Sequence, residues 1–204
     1  VTRPWIIGGP AYRRQLAAEH AVSVAELSWL CGAHGQPLSY GYLHGCPPEQ
    51  PRNVLFERAL ASPTSVLIWL DSDCFLPDVH SVYRLATLLT ERLDPFVGGP
   101  YVLGDGERCS IADEGSGWRP VAAIAELAAR GEPERVHAMG LGLALFNLDR
   151  YRGGWTSAPW FRTQWAGGTL ESEDHWHTSQ LLERFGAQAL AWHRPIVEHL
   201  VGAR

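Results

Sequence analysis

The segment that most restricts the fold is Val66-Leu67-Ile68-Trp69-Leu70, an unbroken apolar run that ends in Asp71-Ser72-Asp73 and is followed by Pro77. A strand with no polar positions has to be covered on both faces, which is the condition of a central strand in a layered α/β protein. Carboxylates at the end of such a strand lie at the edge of the sheet where ligands bind in open α/β folds. In extended chain Asp71 and Asp73 would share a face about 7 Å apart. Two carboxylates so placed repel unless a cation or hydrogen-bond donors compensate. A hard divalent ion with oxygen ligands would do so and would also hold phosphate oxygens. Asp-Ser-Asp is equally ordinary turn material.

The flanking pattern alternates strand and helix. Trp5-Ile6-Ile7 reads as a strand ended by Gly8-Gly9-Pro10, and residues 12–30 as a helix stopped by Gly32. Leu38–Leu43, Ser65–Leu70, 95–103, Ala138–Asn147 and 187–192 read as strands. Arg52–Ala61, a segment opened by Pro77-Asp78, Pro120–Ala129, and a segment from the cap Ser172 to Phe185 before Gly186 read as helices. Asp105 to Trp118, with its glycines and few core residues, reads as a loop able to close over a ligand. The expectation is an α/β/α sandwich around a mainly parallel sheet, in one domain spanning 1–204.

Composition removes several function classes. All 17 basic residues are arginine, so chemistry that needs a lysine amine is excluded, including a pyridoxal Schiff base and a P-loop. A net charge of −5 with no basic run beyond Arg13-Arg14 argues against nucleic acid as a partner. Val136 to Leu148 is the longest apolar stretch, and His137, Gly140, Gly142 and Asn147 interrupt it, so no membrane span is expected. Cys31, Cys46, Cys74 and Cys109 lack metal or redox spacing and read as buried thiols in a cytoplasmic protein. A haloacid-dehalogenase-like phosphatase would use Asp71 and Asp73, but it needs Thr where Phe75 stands and a lysine downstream.

Taken in order, Ile6-Ile7-Gly8, Arg52-Asn53, LIWLDSD, Phe96-Val97-Gly98-Gly99-Pro100-Tyr101, Met139 to Gly142, Pro159-Trp160-Phe161, Ser172-Glu173-Asp174-His175 and 195–199 resemble nucleotide-sugar glycosyltransferases of the GT-A fold. The resemblance spans nearly the whole chain. It implies metal-dependent transfer from a nucleotide-diphosphate sugar, with a UDP-sugar favoured, to a hydroxyl acceptor such as a carbohydrate, a protein or a small molecule, with inversion. It implies Mn²⁺ or Mg²⁺ held by Asp73 and His199, with Asp71 on the ribose or reaching the metal through water. Histidine among oxygen ligands favours Mn²⁺.

Further roles carried by the resemblance are nucleotide contacts from Pro10, Ala11, Tyr12, Arg52, Asn53 and Ser72. Donor and acceptor contacts fall to Gly99, Gly140, Leu141, Gly142, Trp160 and Phe161. The resemblance divides the chain into a nucleotide-binding half, 1–100, and an acceptor and metal-completing half, 101–204. Asp174 matches the catalytic base of inverting members, with Glu173 second; a carboxylate there removes the acceptor proton as the bond forms. Ser-x-x-His with two acids at a helix start is also plain capping chemistry. A zinc site of His175, His177 and His193 is a weaker reading, since the first two are badly spaced on a helix. Five of the nine tryptophans fall after residue 150, which suits sugar stacking as well as core packing. The alternatives are a nucleotide-sugar binding module without catalysis, and a nucleotidyltransferase.

Overall fold

The structure is a computed structural model that describes residues 2–11, 17–44, 47, 49–115, 117–166, 169–194 and 197–199. The first half runs β1 (Trp5–Pro10), α1 (Ala18–Ala33), β2 (Leu38–Leu43), α2 (Glu49–Ala61), β3 (Val66–Leu70), β4 (Cys74–Phe75), α3 (Val79–Arg92) and β5 (Phe96–Gly98). The second half runs β6 (Arg108–Asp113), β7 (Gly117–Pro120), α4 (Ala122–Arg130), β8 (Glu134–Val136), β9 (Ala138–Met139), β10 (Leu143–Asn147), α5 (Leu148–Gly154), β11 (Gln164–Ala166), β12 (Thr169–Glu171), α6 (Glu173–Ser179), α7 (Leu181–Phe185), β13 (Ala189–Ala191) and β14 (Glu198–His199).

Seven strands form the central sheet in the order β2-β1-β3-β10-β5-β13-β8. Strand β1 is parallel to β2 and β3, and β5 is parallel to β13. Strand β10 is antiparallel to both its neighbours, β3 and β5, and β8 is antiparallel to β13. The sheet is therefore mixed, which corrects the expectation of a mainly parallel one. Parallel neighbours need a crossover that carries the chain back to the starting edge. The chain reaches β10 instead through residues 140–142, at the edge where β3 ends, and the Asp71 N–H donates to the Gly142 carbonyl there (3.0 Å).

The pleat of β3 divides the core. Val66, Ile68 and Leu70 pack towards Leu27 and Leu30 of α1 and Val82, Leu85 and Leu89 of α3. Leu67 and Trp69 pack towards Leu55 and Phe56 of α2, Tyr151 of α5 and Trp176 of α6. This period-two division between two helical layers is what an all-apolar strand requires.

Three local expectations change. The 105–118 stretch is not an open loop: β6 and β7 pair as a hairpin, and the Asp105 carboxylate accepts the N–H groups of Glu107 and Arg108 at its start. Cys109 and Ile111 alternate into the core, which anchors β6. The 138–147 stretch is two strands, with β9 in a separate three-stranded sheet beside β6. The 172–185 helix breaks at Gln180 into α6 and α7, and Gly186 closes α7 in the left-handed region (φ 67°). No described helix is long and apolar enough to cross a membrane.

Candidate active site at the carboxyl edge of the sheet

Helix α2 buries the face that carries Arg52, Leu55, Phe56 and Ala59, so Arg52 points into the protein in line with apolar residues. It is 1% exposed. Its Nη1 donates to Asp174 Oδ1 at 2.6 Å, its Nη2 donates to Asp71 Oδ2 at 3.2 Å, and its Nε lies 3.4 Å from Glu173 Oε1. The guanidinium carbon stands 5.3 Å from the Trp69 ring centre. One cation therefore joins the acid at the end of β3 to the acidic pair opening α6. A planar fork with several donors suits this role better than a point charge would.

The acidic stretch after β3 is a turn, not the extended strand end expected: the Cys74 N–H donates to the Asp71 carbonyl (2.9 Å). Asp71 faces inward, where its Oδ1 accepts from Trp69 Nε1 at 2.8 Å. Burial is the largest influence on its carboxyl and lifts it from 3.8 to about 6, reinforced by Asp174 and Asp73 and opposed by Arg52 and Trp69. Asp73 is half-buried, and Ser72 is buried with its carbonyl accepting from the Ala17 N–H. Strand β14 pairs with β4 so that His199 lies opposite Cys74, one position beyond Asp73.

These placements set the two acids apart. Asp71 is buried with both oxygens accepting protein hydrogen bonds, whereas Asp73 is half-buried. Strand β14 sets His199 in register beside the turn, and a carboxylate with an imidazole are ligand types that suit a borderline divalent ion. Among the described residues no three or more His, Cys, Asp or Glu side chains are grouped as a metal site. The His199 side chain lies outside the described structure.

Asp174 is held from both sides. Its Oδ1 takes the Arg52 bond and its Oδ2 accepts the Leu141 backbone N–H at 3.1 Å. Glu173 is more enclosed. Burial, then the Asp174 charge, lift its carboxyl from 4.5 to about 7, with Arg52 acting in the opposite direction. Gly140 and Gly142 are needed here for a reason other than ligand approach. A Cβ on Gly140 would stand 2.5 Å from Tyr101 Oη, and one on Gly142 would stand 2.6 Å from Tyr101 Cε1. The two glycines make room for a tyrosine ring behind Asp174.

Other sequence candidates are placed differently. Asn53 is a structural clamp: its Oδ1 accepts the Trp160 and Phe161 N–H groups, and its Nδ2 donates to the Glu49 and Phe161 carbonyls. Trp160 and Phe161 are buried and pack in the core with Trp155 and Trp176. Pro10 is buried in β1, the Ala11 N–H donates to the Leu43 carbonyl, and Gly99 is tied to Leu143; Tyr12 lies outside the described residues. His177 bonds Tyr151 Oη and the Trp160 carbonyl inside the core, and His175 bonds Glu171, so His175, His177 and His193 do not gather. Cys31, Cys74 and Cys109 are buried free thiols, and Cys46 lies outside the described residues.

Sequence reasoning passed over His20 and Tyr42. The buried His20 Nδ1 faces the Cys74 carbonyl (2.9 Å), and its Nε2 faces Tyr42 Oη (2.8 Å). A carbonyl only accepts, so Nδ1 carries the proton and the tyrosine donates to Nε2. The chain Tyr42–His20–Cys74 braces the acidic turn from below. An isolated His on a helix gave no signal of this.

No protein-family model matches the sequence, and no curated protein matches it. Solved structures do. A197 from STIV aligns with 92% of this chain and 81% of its own, at 13% identity and a TM-score of 0.59. S. aureus TarS, residues 1–349, aligns with 96% of this chain and 60% of its own, at 10% identity and a TM-score of 0.50. A glycosyltransferase involved in the glycosylation of the major capsid of PBCV-1 aligns with 98% of this chain and 94% of its own, at 13% identity and a TM-score of 0.49. At such identities the likeness to A197 and TarS establishes a shared α/β fold.

Proposed function

We propose that this chain is a metal-dependent glycosyltransferase that moves a sugar from a nucleotide-diphosphate sugar, with UDP favoured, to a hydroxyl acceptor with inversion. The observation that carries the reading is the Arg52 bridge between Asp71 and the Glu173-Asp174 pair, two acidic motifs to which the resemblance gives donor and acceptor roles. Asp73 and His199 would hold Mn²⁺. When bound, the ion neutralises charge on the departing diphosphate.

Asp174 takes the proton. The acceptor oxygen bonds to the anomeric carbon, the bond from that carbon to the phosphate oxygen breaks with its electron pair, and the acceptor proton passes to the Asp174 carboxylate. Arg52 and the Leu141 N–H fix the carboxylate angle while leaving each oxygen a further lone pair. Asp174 is preferred to Glu173 because its side chain is 17% exposed against 10%, and because two donors orient it.

The test is calorimetric titration of UDP-sugars with Mn²⁺, together with release of UDP. Asp73→Asn is expected to lose metal-dependent donor binding, and unchanged binding removes the metal assignment. Asp174→Asn is expected to keep donor binding and lose turnover by about 10²-fold or more. Full turnover in that variant removes Asp174 as base. Donor binding with no turnover in the unaltered protein would favour a binding module.

A further inference from the structure

A cavity of about 450 Å³ lies between the β6–β7 and β11–β12 hairpins, lined by Asp113, Trp118, Leu170, Glu171, Ser172 and His175. This volume is in the range that holds small ligands. Ser172 and His175 stand either side of Glu173 and Asp174 on the first turn of α6, so the cavity opens on the helical turn that carries the proposed base.

The walls combine two kinds of surface. Trp118 offers an indole, set edge-on to His175 at 5.8 Å between ring centres. Leu170 is 59% exposed, and Trp165, its partner across the β11–β12 hairpin, is 74% exposed. Cross-strand partners project from one face, so the rim carries apolar surface that none of the described residues covers. The polar groups are mostly acceptors: the Asp113 and Glu171 carboxylates, the Ser172 hydroxyl and the His175 ring. Glu171 accepts from His175 Nδ1 at 2.7 Å. With Nδ1 on Glu171, the other ring nitrogen, Nε2, is an acceptor whenever the ring carries a single proton. Among the described residues that line it there is no arginine. Arg119, next to Trp118 on β7, is committed to Asp113 and Glu134.

We infer that this cavity is the acceptor site and that it takes an uncharged or amino sugar while rejecting phosphorylated and carboxylated ones. The inference rests on the glycosyltransferase reading. An indole and an exposed leucine suit the C–H face of a pyranose, and acceptor-rich walls suit its hydroxyl hydrogens or an ammonium group. Glu171, held by the Gln164 amide and the His175 ring and not by an arginine, opposes an anionic ligand, and that opposition is a source of specificity.

Saturation-transfer NMR can test this with glucose, glucosamine, N-acetylglucosamine, cellobiose, glucose 6-phosphate and glucuronate as probes. Binding is expected for the neutral and amino sugars and at least tenfold weaker for the anionic ones. Trp118→Ala should weaken neutral-sugar binding about tenfold, and Trp118→Phe should restore most of it. Glu171→Gln should narrow the gap between glucose and glucose 6-phosphate, which a purely structural role would not do. Equal binding of phosphorylated and neutral sugars, or wild-type binding by Trp118→Ala, overturns the inference. Sugar binding without any Mn²⁺-dependent binding of UDP-sugars would overturn the glycosyltransferase reading and leave a sugar site that is not an acceptor site. Donor binding without sugar binding would overturn the acceptor site alone.

Discussion

Replacing Glu173 by Gln should stabilise the protein, and the gain should depend on pH. Glu173 is enclosed beside Asp174 and Asp71, and its carboxyl rises from 4.5 to about 7. The folded carboxyl therefore keeps its proton to a higher pH than the unfolded one. Its contribution to stability is complete below about pH 4.5 and is lost as the pH climbs through about 7. Each pH unit of separation is worth about 1.4 kcal/mol, so at pH 8 the ionised side chain costs the fold about 3 kcal/mol. At pH 5, where the native carboxyl is still protonated, that cost falls to under about 1 kcal/mol. Gln removes the titration and gives up the ionic contact to Arg52 Nε at 3.4 Å. The advantage of the variant should grow by about 2–3 kcal/mol from pH 5 to pH 8, or about 5–10 °C in Tm for a chain of this size. Urea unfolding at the two pH values measures it. An offset that is the same at both, or a loss at pH 8, would refute the account of Glu173 as a buried, charge-strained acid.

Three further outcomes follow from the same contacts. Arg52→Met leaves three carboxylates without their shared cation, and breaking a buried ion pair from one side costs about 3–5 kcal/mol; a loss under about 1 kcal/mol in urea unfolding would show that the guanidinium is not compensating them. Gly140→Ala should cost about 1–3 kcal/mol through overlap with Tyr101 Oη. Tyr101→Phe in the same chain should return at least half of that, and additive effects of the two changes would contradict the contact. His177 is buried and its ring is lowered from 6.5 to about 3, so the unfolded chain takes up the proton first and stability falls with pH below about 6.5. His177→Gln should therefore narrow its deficit relative to the unaltered protein by about 2 kcal/mol between pH 7 and pH 5, which a constant deficit would contradict.

Local signals in the sequence located many elements well. Strand β2 occupies Leu38–Leu43 as read, and β3 and the capped start of α6 at Ser172 lie where apolar continuity and side-chain capping put them. Candidates far apart in sequence, Arg52, Asp71, Glu173 and Asp174, meet at one guanidinium. What escaped was non-local. The antiparallel entry of β10 depends on where the 140–142 bend delivers the chain, and no period within 143–147 encodes it. The β6–β7 hairpin was masked by glycines at 104, 106, 115 and 117, although Cys109 and Ile111 alternate as a strand should. The Gly140 and Gly142 spacing suggested ligand approach because Tyr101, whose ring fills the space, is distant in sequence. A signal for Arg52 was present and unused: it stands at i, i+3, i+4 and i+7 with Leu55, Phe56 and Ala59, which is the pattern of a buried helix face.

Strand β10 lies between β3 and β5, so the middle of the sheet comes from the later part of the chain. A nascent chain that has emerged only as far as β5 holds two apolar strands whose hydrogen-bonding edges face a gap that only residues 143–147 can fill. Open edges of that kind are templates for pairing between molecules. Collapse of the first hundred residues alone would yield an aggregation-prone intermediate, and productive folding has to wait for a strand about 75 residues beyond the one it joins, a long loop closure that favours slow folding. Chaperone dependence during synthesis, and poor solubility of fragments cut between β5 and β10, are the behaviour such a sheet order dictates.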